Sequence, residues 1–151
     1  AVPAKRCLGR QGFQGGNEGY KTVGVDLVEE AATCAIAASK LEARDLAGIV
    51  LVSTTGLATP SLDARLANRI PFASDIVRMP LWGLGCAGGV AGLSRGAELA
   101  RMRQGPVLSI AFERCTLSFD VQKPISGPGG STDSQAIITG SHLREDRRAA
   151  R

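Results

Sequence analysis

Leu84-Gly85-Cys86-Ala87-Gly88-Gly89, followed by the small-residue run from Val90 to Arg103, is the stretch that decides how this chain folds. A cysteine stands between glycines where an apolar, strand-like run gives way to a helical one. The first N–H groups of a helix have no partner inside it and carry the positive end of its dipole. A thiol at that point is expected to lose its proton more readily, and the thiolate is the nucleophilic form. The flanking glycines let the backbone bend sharply and keep side chains away from an approaching substrate carbonyl. The competing reading makes Cys86 a small buried hydrophobe, which is the commonest role of a free cysteine.

Working outward, Ile49-Val50-Leu51-Val52-Ser53 is a continuous apolar run rich in β-branched residues. It predicts a strand covered on both faces, as in a parallel sheet. Thr54 to Pro60 is then a polar loop at the strand's carboxyl end, where open α/β sheets bind their ligands. Ile76 to Leu81 reads as a second strand, and Pro80 places it at an edge or a bulge. Val107 to Phe112 reads as a third. Between them lie helical patterns. Val25, Val28, Ala32, Ala35, Ile36, Ser39 and Ala43 make an amphipathic helix from Lys21 to Leu46, with Cys34 as a packing residue and Gly48 as its stop. A short helix capped by Ser61 runs through Asn68, and Pro71 bars its continuation. The helix after Cys86 is small on most sides, which predicts burial between layers. The order α-β-α-β-α-β favours a mostly parallel sheet.

Composition limits the partners. The chain has 151 residues and a net charge of +4, and residues 121–151 hold five of its 18 basic and three of its 14 acidic groups. The body is nearly balanced and has no basic stripe, so no nucleic-acid surface is expected. No apolar run is long enough to span a bilayer, and no secretory leader opens the chain, so neither membrane attachment nor export is expected. Cys7, Cys34, Cys86 and Cys115 form no C-x-x-C pair, so no metal site is expected, and reduced thiols fit a cytoplasmic protein. Ala1 to Gly19 is glycine-rich and predicts an irregular opening. Residues 121–151 are rich in Pro, Gly and Ser and then charged. They are read as a divergent, poorly ordered tail beyond a domain formed by residues 1–120.

Three motifs carry a family resemblance. Ser53-Thr54-Thr55-Gly56-Leu57-Ala58-Thr59-Pro60-Ser61-Leu62-Asp63-Ala64-Arg65-Leu66, then Gly83-Leu84-Gly85-Cys86-Ala87-Gly88-Gly89, then Glu113-Arg114-Cys115-Thr116-Leu117-Ser118-Phe119 stand in this order. Together they resemble the amino-terminal half of type III polyketide synthases. The likeness is to the bacterial alkylresorcinol, alkylpyrone and tetrahydroxynaphthalene synthases, and more distantly to chalcone synthase. It covers Gly12 to Phe119, and Asn17 and Tyr20 fit the family's opening.

The resemblance implies an α/β, thiolase-like fold, here the amino-terminal half of the α-β-α-β-α sandwich, and a homodimer. It implies an acyltransferase in which Cys86 takes the starter from an acyl-CoA, and decarboxylation of malonyl-CoA supplies the carbanion that extends it. No cofactor is implied beyond these coenzyme A thioesters, which are substrates. Thr54 corresponds to a cavity wall, Cys115 and Ser118 to positions that shape the pocket, and Thr59 to the residue that reaches across the dimer. Glu113 corresponds to a hydrogen-bonding Glu near the site. The family's catalytic histidine and asparagine belong to its carboxyl-terminal half, for which the chain shows no counterpart; His142 lies in the divergent tail. Two functions follow: the nucleophile-bearing part of such a synthase, incomplete as an enzyme, or a non-catalytic remnant or interaction module of a thiolase-fold dimer.

Overall fold

The computed structural model describes residues 13–114 and 132–139. Helix α1 spans Phe13–Ser39, strand β1 Gly48–Ser53, helix α2 Leu62–Ala67, strand β2 Val77–Trp82, helix α3 Gly88–Arg103, strand β3 Val107–Arg114 and strand β4 Thr132–Thr139. The strands form one sheet in the order β2-β1-β3-β4. β1 pairs in parallel with β2 and β3, and β4 runs antiparallel to β3.

The strand expected to be covered on both faces lies between β2 and β3, and it is apolar on both faces. Ile49 and Leu51 of β1 join Leu108, Ile110 and Phe112 of β3 beneath α1 and α2, in a core that includes Val25, Val28, Ala32, Leu62 and Leu66. Val50 and Val52 point the other way, into a second cluster with Leu99, Ala100 and Val107 beneath α3. Alternate side chains of one strand thus serve two helical layers, and no position in β1 is left to water. β2 lies at the edge, one of the two places that Pro80 allowed, and its side chains alternate between partly buried and exposed.

Several boundaries differ from expectation. α1 begins at Phe13, inside the glycine-rich opening, and runs through Gly15, Gly16 and Gly19. Tertiary packing outweighs the low helix propensity of these glycines. At Gly24 a Cβ would lie 2.9 Å from Cε1 of Phe112, so the missing side chain lets the helix sit close to the sheet. The helix stops at Ser39, where Lys40 turns left-handed at φ 57°, well before Gly48. Gly48 instead opens β1, where a Cβ would meet Cδ2 of Leu99 at 2.6 Å. Cys34 is exposed rather than packed. Ser61 occupies the α2 cap position in extended conformation but makes no side-chain cap bond. α3 buries only Gly88, Gly92, Gly96, Leu99 and Ala100. Its other face is open within the described residues, with Val90 75 % exposed. Within the segment read as a poorly ordered tail, residues 132–139 pair with β3 as β4.

Candidate active site

Parallel pairing brings the three motifs together. The carboxyl ends of β1, β2 and β3 lie along one end of the sheet, so the loop after Ser53, the turn after Trp82 and the Glu113-Arg114 pair are neighbours there. β2 and β3 flank β1 on opposite sides, so the chain changes winding direction across β1. Such a switch point opens a crevice at the strands' carboxyl ends.

Cys86 occupies a single 3-10 turn, Gly85–Ala87, between β2 and α3, and is exposed. Two glycines make the approach possible. Gly83 and Gly85 adopt φ of 85° and 54°, values that favour glycine, and a Cβ at either would meet nothing within 4 Å. Backbone conformation, not space, therefore calls for glycine at 83 and 85. At Gly88 the reason is space, because a Cβ there would approach Cγ1 of Val52 to 2.5 Å. The Gly88 N–H caps the turn by donating to the Gly85 carbonyl.

The loop after β1 is fastened on several sides. Asn17 of α1 makes a matched pair with Leu57: its side-chain N–H donates to the Leu57 carbonyl and its oxygen accepts the Leu57 N–H, both at 2.9 Å. Glu113 accepts from the Thr55 N–H at 3.0 Å and from the Thr55 hydroxyl at 2.8 Å. Thr55 Oγ1 in turn accepts the Arg114 N–H at 2.7 Å. The Trp82 indole donates to the Gly56 carbonyl at 3.2 Å. Asp63, fully buried at the start of α2, accepts from Arg78 of β2 at 3.1 Å and ties the loop's exit to the edge strand.

Tyr20 closes the floor. Its hydroxyl donates to Ser53 Oγ at 2.8 Å and its ring lies against Phe112 with centroids 5.4 Å apart. Burial pushes its phenol above the ordinary value; the Ser53 contact pulls the other way, and the nearby Glu113 carboxylate adds to the rise. The folded chain therefore holds this proton more tightly than the unfolded chain does. The stabilisation is full below about pH 10 and is lost as pH rises through the folded-state value. Tyr20 is the only tyrosine. Its phenolate absorbance should titrate at higher pH in the folded chain than in denaturant, and a coincident pair of curves would contradict this environment.

The structure brings Thr54 to the Cys86 turn, since Thr54 Oγ1 accepts the Gly85 N–H at 3.0 Å. Thr59 is exposed further along the same loop, and its carbonyl accepts from Arg65 at 3.5 Å. Cys115 and Ser118 lie outside the described residues. Sequence reasoning passed over Thr55 and Trp82. Thr55 reads as one more polar loop residue until β3 places Glu113 beside it. Trp82, the sole tryptophan, was available as a signal at the end of an edge strand. Among the described residues no group of three His, Cys, Asp or Glu side chains could hold a metal ion, and no helix is long and apolar enough to cross a membrane.

A cysteine on the turn from an edge strand into a helix that crosses a mostly parallel sheet, with a second helical layer opposite, belongs to the amino-terminal part of a thiolase-like fold. Within that class the chain is a member of the chalcone and stilbene synthase family: residues 17–131 match its N-terminal domain. The match reaches past Phe119, the limit of the motifs quoted above. The chain is 46 % identical over 95 residues to a 1,3,6,8-tetrahydroxynaphthalene synthase of Streptomyces peucetius subsp. caesius, covering 63 % of this chain and 25 % of that protein. It is 50 % identical over 72 residues to a putative chalcone synthase of Bacillus subtilis, covering 47 % of this chain and 20 % of that protein. The crystal structure of a tetrahydroxynaphthalene synthase from Streptomyces coelicolor superposes with a TM-score of 0.76 at 30 % identity, over 82 % of this chain and 36 % of that one. The chain thus spans about a quarter of the length of these curated relatives.

Proposed function

We propose that this chain is the nucleophile-bearing part of a type III polyketide synthase. Cys86 sulfur attacks the thioester carbonyl of a starter acyl-CoA; a new sulfur–carbon bond forms, the bond to coenzyme A breaks, and coenzyme A leaves with the thiol proton. Malonyl-CoA then loses carbon dioxide, and the resulting carbanion attacks the Cys86 thioester; a carbon–carbon bond forms, the sulfur–carbon bond breaks, and Cys86 leaves as the thiolate, which takes a proton from water. The observation that carries this reading is an exposed Cys86 at the carboxyl end of the sheet, in a chain of this family. Thr54, Thr59, Cys115 and Ser118 are the side chains read as bordering the substrate, the coenzyme A thioesters as substrates with no further cofactor, and the cytoplasm as the setting. Incubation with a long-chain acyl-CoA should add one acyl group, mapped by intact mass and peptide analysis to Cys86. An unmodified Cys86 would overturn the reading.

The same reading makes the working unit a homodimer. Leu57, Trp82 and Leu84 are exposed around the loop that carries Thr59, with Trp82 62 % exposed and bonded to Gly56. Large exposed apolar side chains gathered at one place mark an interface. Trp82→Glu should weaken self-association by about 2 kcal/mol, roughly a thirtyfold rise in the dissociation constant by sedimentation. An unchanged constant would remove Trp82 from the interface.

The second reading, an interaction module without chemistry of its own, draws on the open face of α3, where Val90, Leu93 and Met102 are exposed. Stable co-purification with a full-length synthase, together with an unacylated Cys86, would favour it.

A further inference from the structure

We propose that Thr54 is a positioning residue, whose hydroxyl sets the turn that presents Cys86. The inference rests on the reading of Cys86 as the acyl acceptor, and it gives Thr54 a different task from lining the substrate cavity. The Gly85 N–H donates to Thr54 Oγ1 at 3.0 Å. This bond joins the loop after β1 to the turn after β2, across a sequence separation of 31 residues. The acceptor is held in place by the rest of its loop: Thr55 is fixed to Glu113 and Arg114, Gly56 to Trp82, and Leu57 to Asn17. The strand it follows, β1, is more completely buried than β2 or β3, so the hydroxyl rests on a rigid base.

The donor side needs that anchor. Two left-handed glycines, Gly83 and Gly85, flank Leu84 and leave the backbone with more freedom than any other residue type would. No neighbour lies within 4 Å of a Cβ built on either glycine, so packing does not restrain them. Cys86 follows directly. A hydrogen bond from Gly85 therefore selects one conformation of a loose segment and with it one direction for the thiol.

The test compares Thr54→Val with Thr54→Ser in the full chain. Valine keeps the shape and removes the acceptor; serine restores the acceptor and lacks only the methyl group. Iodoacetamide, too small to sense a cavity wall, should alkylate Cys86 about fivefold more slowly in Thr54→Val, the factor that one hydrogen bond of ordinary strength confers. Cys34 in the same molecule, exposed and far along α1, is the internal reference and should not change. Thr54→Ser should return Cys86 to the wild-type rate, with all three proteins folded and unfolding cooperatively. Unchanged alkylation in Thr54→Val, or a slowing that serine does not rescue, overturns the proposal. A slowing seen only with acyl-CoA also overturns it and assigns Thr54 to the cavity wall instead. The alkylation rates stand whether or not acyl-CoA reacts, so this test is separate from that of the functional reading.

Discussion

Cys86→Ala removes the acyl adduct that the wild-type chain forms with a long-chain acyl-CoA, lowering transfer on the order of 10³-fold or more, because no other group replaces a covalent nucleophile. The structure supplies the control within the same molecule. Cys34 and Cys86 are both exposed free cysteines, so accessibility alone gives them equal claims. What separates them is their setting. Cys34 lies within α1, whereas Cys86 stands on a turn between β2 and α3, at the end of the sheet where the loop after β1 and the end of β3 also arrive. If the thioester reaction depends on that setting, intact mass shows one adduct in the wild type and none in Cys86→Ala, while Cys34→Ala behaves as wild type. An adduct that persists in Cys86→Ala and maps to Cys34 would mean that exposure, and not the site, governs the chemistry.

Gly92→Val will lower folding stability by about 3 kcal/mol, the upper part of the usual range for forcing extra atoms into a packed core. α3 meets the sheet through Gly88, Gly92 and Gly96, spaced one turn apart and all buried. A Cβ at Gly92 would lie 2.6 Å from Cγ2 of Val52, a β-branched side chain on the central strand that cannot turn aside cheaply. Helix propensity argues the other way, since valine suits a helix better than glycine by a few tenths of a kcal/mol. The sign of the effect therefore reports the contact. In a Val52→Ala background the penalty should shrink by about 1–2 kcal/mol, the coupling expected of two residues in contact. Gly89, beside Gly88 but facing open space, is the counter-case: Gly89→Ala should be neutral or stabilising by about 0.5 kcal/mol. Urea unfolding of the four variants decides the point, and strictly additive penalties at 52 and 92 would refute the close contact.

The local chemistry of this chain was written in its residues. The unbroken run from Ile49 to Ser53 could only be a strand with both faces covered, because every side chain on it is apolar or small. Pro80 limited its strand to an edge or a bulge, because it has no N–H to offer a second neighbour, and the sheet took the edge. The glycines around Cys86 marked a sharp junction, and three motifs in order identified the family. Other features were not legible, because they depend on residues far apart in the chain. The opening glycines did not break α1, since a Cβ at Gly19 would run into the Arg114 guanidinium and an absent side chain there is an advantage. The exposure of Cys34 and the open face of α3 followed from which layers meet them, which periodicity does not state. Most of all, the bond from Gly85 to Thr54 and the Thr55–Glu113 pair exist only because parallel pairing aligns the ends of three strands. Sequence alone therefore determined which residues could turn, pair or react. The packing of β1 between two helical layers determined which of them came within hydrogen-bonding reach of the cysteine's turn, since that distance is set by the sheet and not by the chain between them.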